Sequence, residues 1–488
     1  MACALAVAAV LLAPAAAQAA WVKAESPRFE VYGEVSESVA RTYILELESF
    51  DSMLRLLHGL QDKPPSTKFK VYLIKDRPDL RRVWPDVGDA VAGFYMAGTE
   101  DVFAVALIGR DGSNTVQHEY VHHFMLQYFP YGYPAWLIEG YAEYYATTDI
   151  RGDVVEVGEP NAGRISELDF FSWLPMSTVL NKGPNETRNG PYYAQAWLMT
   201  HYFMSDPARY KQLQAYLRAV GKGENSAEAM ERITGLTSTS LAKALRLYPR
   251  PGWKYNRYTR HDFVVPTVTV SPVTAADEAV LLEAQSIKRG VRKERQAPLI
   301  EKLKRAVATN PGARLPRLTL AHAQISFGDR AAGEAILREL VAADPRDVEA
   351  LEFLAESRRY AGDEDEANAA AYYRESEKLI GQAYKVDPNR FQTLYAFTTS
   401  QRHDPNYPSK NTLEALLVAQ ELAPQVDEIT LEAARGLIRH KQYDQAVRLL
   451  TPVANDPHGG GAAEAASKFL AQIATAQAPD GAKDSAKP

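Results

Sequence analysis

The segment His118-Glu119-Tyr120-Val121-His122 constrains this chain more than any other stretch. On a helix, two imidazoles four positions apart share a face and stand one turn, about 6 Å, apart along the axis. Their ring nitrogens can then converge on one ion. Glu119 lies beside them, close to that ion without having to ligate it. Ser113 or Asn114 reads as the N-cap, and Thr115 to Phe129 reads as the helix, stopped by Pro130. After the Tyr131-Gly132-Tyr133 turn, Pro134 suits the start of a second helix, from about Ala135 to Thr147. A turn this short packs the two helices antiparallel and brings Glu139 back over the His pair. Glu143 is one turn further on. It can accept a hydrogen bond from the far nitrogen of a ligating His, or compete with Glu139 as ligand. Two imidazoles and a carboxylate suit Zn²⁺, which takes such donors in a tetrahedral shell. The plainer alternative is a pair of surface histidines on an amphipathic helix, with solvated carboxylates on the next.

His118-Glu119-x-x-His122 followed by Trp136-Leu137-x-Glu139-Gly140-x-Ala142-Glu143-Tyr144 resembles the gluzincin metallopeptidases of the peptidase-MA-like superfamily. The resemblance covers roughly residues 25–250. It implies zinc held by His118, His122 and Glu139, with Glu119 taking a proton from the attacking water and delivering it to the leaving amine. The second helix looks like the NEG-x-A helix of the aminopeptidase N relatives, with Ile138 in place of Asn. Pro191-Tyr192-Tyr193-Ala194-Gln195-Ala196-Trp197 resembles the segment that supplies the transition-state tyrosine there. That implies Tyr193 as the oxyanion donor, with Tyr192 as its rival and simple packing as the alternative. No Gly-x-Met-x-Asn exopeptidase strand is found, so an endopeptidase is expected rather than amino-terminal trimming.

A chain of 488 residues with 46% apolar content and a net charge of −6 reads as an ordinary globular protein of two or three domains. Its mild acidity argues against nucleic acid as a partner. Residues 4–17 form a short apolar run ending in Ala17-Gln18-Ala19, which reads as a signal peptide over 1–19, or else as a buried N-terminal helix. No later segment is apolar and long enough to span a bilayer. The one cysteine, Cys3, lies in that run, so the mature chain would hold no disulfide. A bacterial periplasmic or secreted protein is expected.

The fold class expected is α+β: a gluzincin-like domain over 21–255, with a small mixed sheet and a helical lobe, followed by an all-α solenoid. Val102–Leu107, just before the metal helix, is read either as a substrate-holding sheet edge or as an interior strand. Residues 256–275 read as a linker. Over 276–475, prolines recur at 311, 345, 388, 424 and 457, at intervals of 34, 43, 36 and 33. A period near 34 with Pro closing each unit is the tetratricopeptide (TPR) pattern, the alternative being an ordinary helical bundle; the 43-residue interval predicts an insertion or an irregular unit. Residues 476–488 read as a loose tail. Two functional readings follow: an exported zinc endopeptidase acting on peptides or proteins, whose repeats bind a protein partner, or a silent repeat scaffold with a degenerate metal domain.

Overall fold

The computed structural model describes residues 21–477 except 62, 66, 90, 188–190, 250–251 and 260–263. The expected signal peptide therefore lies outside the described residues, as does the expected tail beyond residue 477.

The first part is built on a six-stranded mixed sheet. Its strands are β1 (Val22–Glu25), β2 (Phe29–Gly33), β3 (Phe69–Ile74), β4 (Gly93–Ala97), β5 (Val102–Leu107) and, from beyond the helical lobe, β9 (Thr269–Pro272), in the order β4-β5-β3-β2-β1-β9. Strands β2, β3 and β5 run parallel, and β4 lies antiparallel to β5. Helix α1 (Glu37–Leu57) makes the crossover from β2 to β3, as a parallel pair requires. Ser36 caps it by accepting from the Val39 N–H. Alternation along β3 sends Phe69, Val71 and Leu73 to one face, against α1 and the helix Arg110–Tyr128. Tyr72 and Ile74 face the other way, onto α2 (Arg77–Val83) and the helix Leu281–Arg289. With both faces covered, β5 is buried along nearly its whole length. It is an interior strand, and the free edge beside the helix Arg110–Tyr128 is β4.

Helix α3 (Arg110–Tyr128) carries the His pair. It starts a turn earlier than Ser113 or Asn114 suggests. Gly109 occupies the cap at φ 128°, a conformation that excludes a Cβ, and no side chain caps the end. Val116, Tyr120, Val121, Phe124 and Met125 form its buried stripe. At roughly 1.5–3 kcal/mol each, their burial seats the helix on the sheet. The Tyr120 hydroxyl donates to Asp51 Oδ1 at 2.7 Å, and Asp51 is held in turn by Arg55 and Arg28 at 2.7 and 2.8 Å. This buried ionic chain fixes α3 against α1.

Helix α4 (Ala135–Tyr145) follows, then the hairpin of β6 (Asp149–Arg151) and β7 (Val154–Val157), α5 (Ala162–Phe170), α6 (Met176–Asn181) and α7 (Tyr192–Met204). Three further helices, Pro207–Val220, Ser226–Thr234 and Ser238–Leu247, complete the lobe around Trp136, Trp197 and Tyr216. The stretch 256–275 then supplies two strands. Strand β8 (Asn256–Thr259) joins β7 in a three-stranded sheet, and β9 closes the main sheet beside β1.

From residue 275 every element is helical. Helix pairs stack in sequence; the expected proline stops at 345, 388 and 424 fall between successive pairs, and those at 311 and 457 flank the array. The units are Arg314–Phe327 with Arg330–Ala343, Val348–Glu364 with Ala369–Val386, Phe391–Ser400 with Lys410–Leu422, and Asp427–Arg439 with Tyr443–Ala454. The 43-residue interval has no inserted loop: its helices are 17 and 18 residues long, against 14 and 14 in the unit before. This is the architecture expected of TPR-like repeats. The array does not hang free. Phe391, Leu394, Leu416, Ala419, Val426 and Ile429 share one core with α1, α3 and the sheet. Among the described residues no helix is long and apolar enough to cross a membrane.

Candidate metal centre

Pro130 and Pro134 confine the turn between α3 and α4, and α4 folds back as the spacing predicts. The two His Nε2 atoms stand 3.1 Å apart. Glu139 Oε2 lies 3.6 Å from His118 Nε2 and 3.7 Å from His122 Nε2. One ligand atom from each of His118, His122 and Glu139 thus falls within 4.8 Å of the other two. Glu143 lies on the opposite side of the first ring, its Oε1 3.4 Å from His118 Nδ1, which leaves Nε2 to face the cluster.

Whether an ion suits this cluster can be judged from Glu139. Its side chain is 0% exposed, and neither carboxylate oxygen has a hydrogen bond. His458 Nε2, from the last repeat, comes within 2.9 Å of Oε1, but off the line a hydrogen bond needs. A buried carboxylate without hydrogen bonds is costly unless a cation compensates it. The His118 ring shows the same demand. Burial works against its charge, yet the Glu139 and Glu143 carboxylates raise its pKa to about 10. Burial raises the Glu139 pKa, but His122 and His118 outweigh it and hold the carboxyl well below its usual range. Glu143, pushed up by burial and down by His118 and Arg164, ends at about 2. Two imidazoles and a carboxylate are donors that would suit Zn²⁺, and the carboxylates favour positive charge between them.

This has a measurable consequence. The His118 pKa is raised, so below about 10 a proton competes with any ion for the ring. Loading Zn²⁺ at pH 8 should release about one proton per ion, and affinity should rise about tenfold per pH unit up to that value. Calorimetry in buffers of different ionisation enthalpy reads the proton count directly. A count of zero would mean that the His118 ring is already neutral at pH 8, against the raised pKa.

The other expected residues gather here too. Glu119 is half-buried on α3, near enough for its charge to act on His118, Tyr193 and His458. Tyr193, near the start of α7, is desolvated, and Glu139 and Glu143 press its pKa further up; the Arg164 guanidinium lies 5.3 Å from the ring centre. Tyr192 is turned away: it is 2% exposed and its hydroxyl donates to Lys182 O at 2.8 Å. His123 packs on Phe69 and Tyr120 with Nδ1 3.1 Å from the Tyr95 hydroxyl, and burial lowers its pKa to about 3, so it is a neutral structural ring.

Two residues at the site were not foreseen. Arg164, on α5, reaches both oxygens of Glu143, at 2.9 and 2.5 Å. His458 arrives from the last repeat. Asn161, which caps α5, was a readable local signal, but nothing nearby in sequence aims Arg164 at Glu143. Replacing Arg164 with Ala strands a buried carboxylate. Stability should fall by roughly 2–3 kcal/mol, the low side for a broken buried pair, because Arg164 is a quarter exposed and His118 remains. Metal affinity should fall by about 10–100-fold through the freed Glu143. Urea unfolding and chelator competition measure the two effects, and an unchanged affinity would deny Glu143 its hold on His118.

No family model matches the chain, and no curated protein matches it. Among solved structures it is similar to a thermophilic TPR protein of Thermus thermophilus. That likeness is 17% identical, covers 40% of this chain and 100% of the other, and has a TM-score of 0.35.

Proposed function

We propose that the chain is an exported zinc-dependent endopeptidase whose repeat array also binds protein. The observation that carries this reading is the buried, hydrogen-bond-free Glu139 carboxylate beside two converging imidazoles. His118, His122 and Glu139 would hold Zn²⁺, leaving a position open to solvent. Bound there, the ion supplies the Lewis acidity that activates water and polarises a peptide carbonyl. Glu119 takes the proton of the attacking water and passes it to the departing amine. The Tyr193 hydroxyl, kept protonated by burial and the nearby carboxylates, donates to the oxygen that gains charge. Glu143 holds His118 in the tautomer that presents Nε2, and Arg164 holds Glu143. The edge strand β4 offers unpaired backbone groups beside α3, a docking line for an extended peptide. Helical repeats of this kind commonly bind peptides or helices, which supports a protein partner for the array.

Metal content and cleavage of casein, before and after chelation and re-addition of Zn²⁺, test the reading. Stoichiometric metal and restored cleavage support it. Protein that takes up no metal at neutral pH overturns it.

A further inference from the structure

The loop after the last repeat touches the first part of the chain at Asn185, Gly132 and Glu139. The loop between Tyr443–Ala454 and Gly460–Gln477 carries Asp456-Pro457-His458. Within it, the His458 N–H donates to Asp456 Oδ1 at 2.8 Å, which fixes the turn. From the metal domain, Asn185 Nδ2 donates to Pro457 O at 2.8 Å. Gly132, in the turn between α3 and α4, lies so close that an added Cβ would stand 2.8 Å from Asn455 Nδ2 and collide with Thr451. The loop is thus tied to Asn185 and packed against the α3–α4 turn. It ends with the His458 Nε2 2.9 Å from Glu139 Oε1, on the oxygen that does not face His118 and His122. The His458 side chain is half exposed, so packing does not account for its placement.

A carboxylate that ligates through one oxygen leaves the other buried and in need of a donor. On Glu139 that oxygen is Oε1, and the neighbour at hydrogen-bonding distance comes from the repeat domain. We propose that His458 is a positioning residue of the metal centre: from 2.9 Å its ring closes into a hydrogen bond with Glu139 Oε1 when an ion takes Oε2, making the last repeat part of the site. The repeats then do more than recruit a partner. Anything that lifts the 455–459 loop loosens the metal, which couples the outer end of the array to the cleft. This rests on the proposed zinc reading.

The test is Zn²⁺ affinity of the full chain by chelator competition, together with the visible absorption of the Co²⁺-substituted protein. His458→Ala should weaken binding by about 10–100-fold and alter the Co²⁺ band. His458→Gln, whose amide can donate to the same oxygen, should recover most of the affinity. Asn185→Ala, which removes the anchor of Pro457 without touching a ligand, should give a smaller loss in the same direction. Wild-type affinity and spectrum in His458→Ala would overturn the inference while leaving the zinc reading intact. A wild-type chain that binds neither ion would overturn both.

Discussion

Replacing Glu119 with Gln is expected to abolish peptide cleavage while leaving bound metal unchanged. The substitution keeps the size and the hydrogen-bonding reach of the side chain and removes its ability to accept a proton. Glu119 is half-buried on α3 and is not one of the converging donors, so the helix and its ion should survive. A positioned general base contributes about 10²–10⁴-fold, and here one carboxylate serves both proton transfers, so the loss should fall at the upper end. The surviving activity should also lose the acid limb of its pH profile. Metal analysis beside an assay on casein or a quenched peptide decides the matter. Stoichiometric zinc in both proteins with cleavage by neither would favour the scaffold reading. Equal cleavage by both would remove Glu119 from the chemistry.

What could be read from sequence divides along the distance over which a contact acts. The α3–α4 hairpin was legible because its signals are local: Pro130 and Pro134 bound the turn, and the His spacing matches a helix. The same locality misplaced the start of α3. Ser113 and Asn114 look like caps, but the helix begins at Arg110 behind a glycine whose positive φ no composition rule reveals. Val102–Leu107 was rightly a strand. Its place inside the sheet depends on β4 folding outside it, a tertiary choice, though its unbroken apolar run already favoured burial on both faces. The proline stops located every repeat boundary, while the long unit proved to be longer helices rather than an insertion. Residues 256–275 read as a linker because short strands that pair with distant partners leave little local trace. Arg164 and His458 escaped for the same reason. Each matters only through a carboxylate on α4, and the second comes from the far end of the chain.

Gly140→Ala should be strongly damaging although it touches no ligand and helix propensity alone predicts the opposite. In an exposed helix interior, Ala is favoured over Gly by about 1 kcal/mol. At Gly140 an added Cβ would stand 2.7 Å from the Ala196 carbonyl carbon and closer still to its oxygen and to Thr200 Oγ1. Two of these atoms are backbone of α7 and cannot rotate away, so the helices must part. Overpacking of this kind costs roughly 1–3 kcal/mol, and more where backbone has to move, so the clash outweighs the propensity gain. Helix α4 carries Glu139 and Glu143, and α7 carries Tyr193. Separating them should therefore weaken metal binding as well as stability. A net loss of about 3 kcal/mol corresponds to a fall in melting temperature of roughly 6–12 °C in a domain of this size. Gly381 provides the control, because it lies within the helix Ala369–Val386 with nothing within 4 Å of an added Cβ. Gly381→Ala should be neutral or slightly stabilising. If Gly140→Ala melts and binds zinc like the wild type, the close approach of α4 and α7 is not what holds the carboxylates over the His pair.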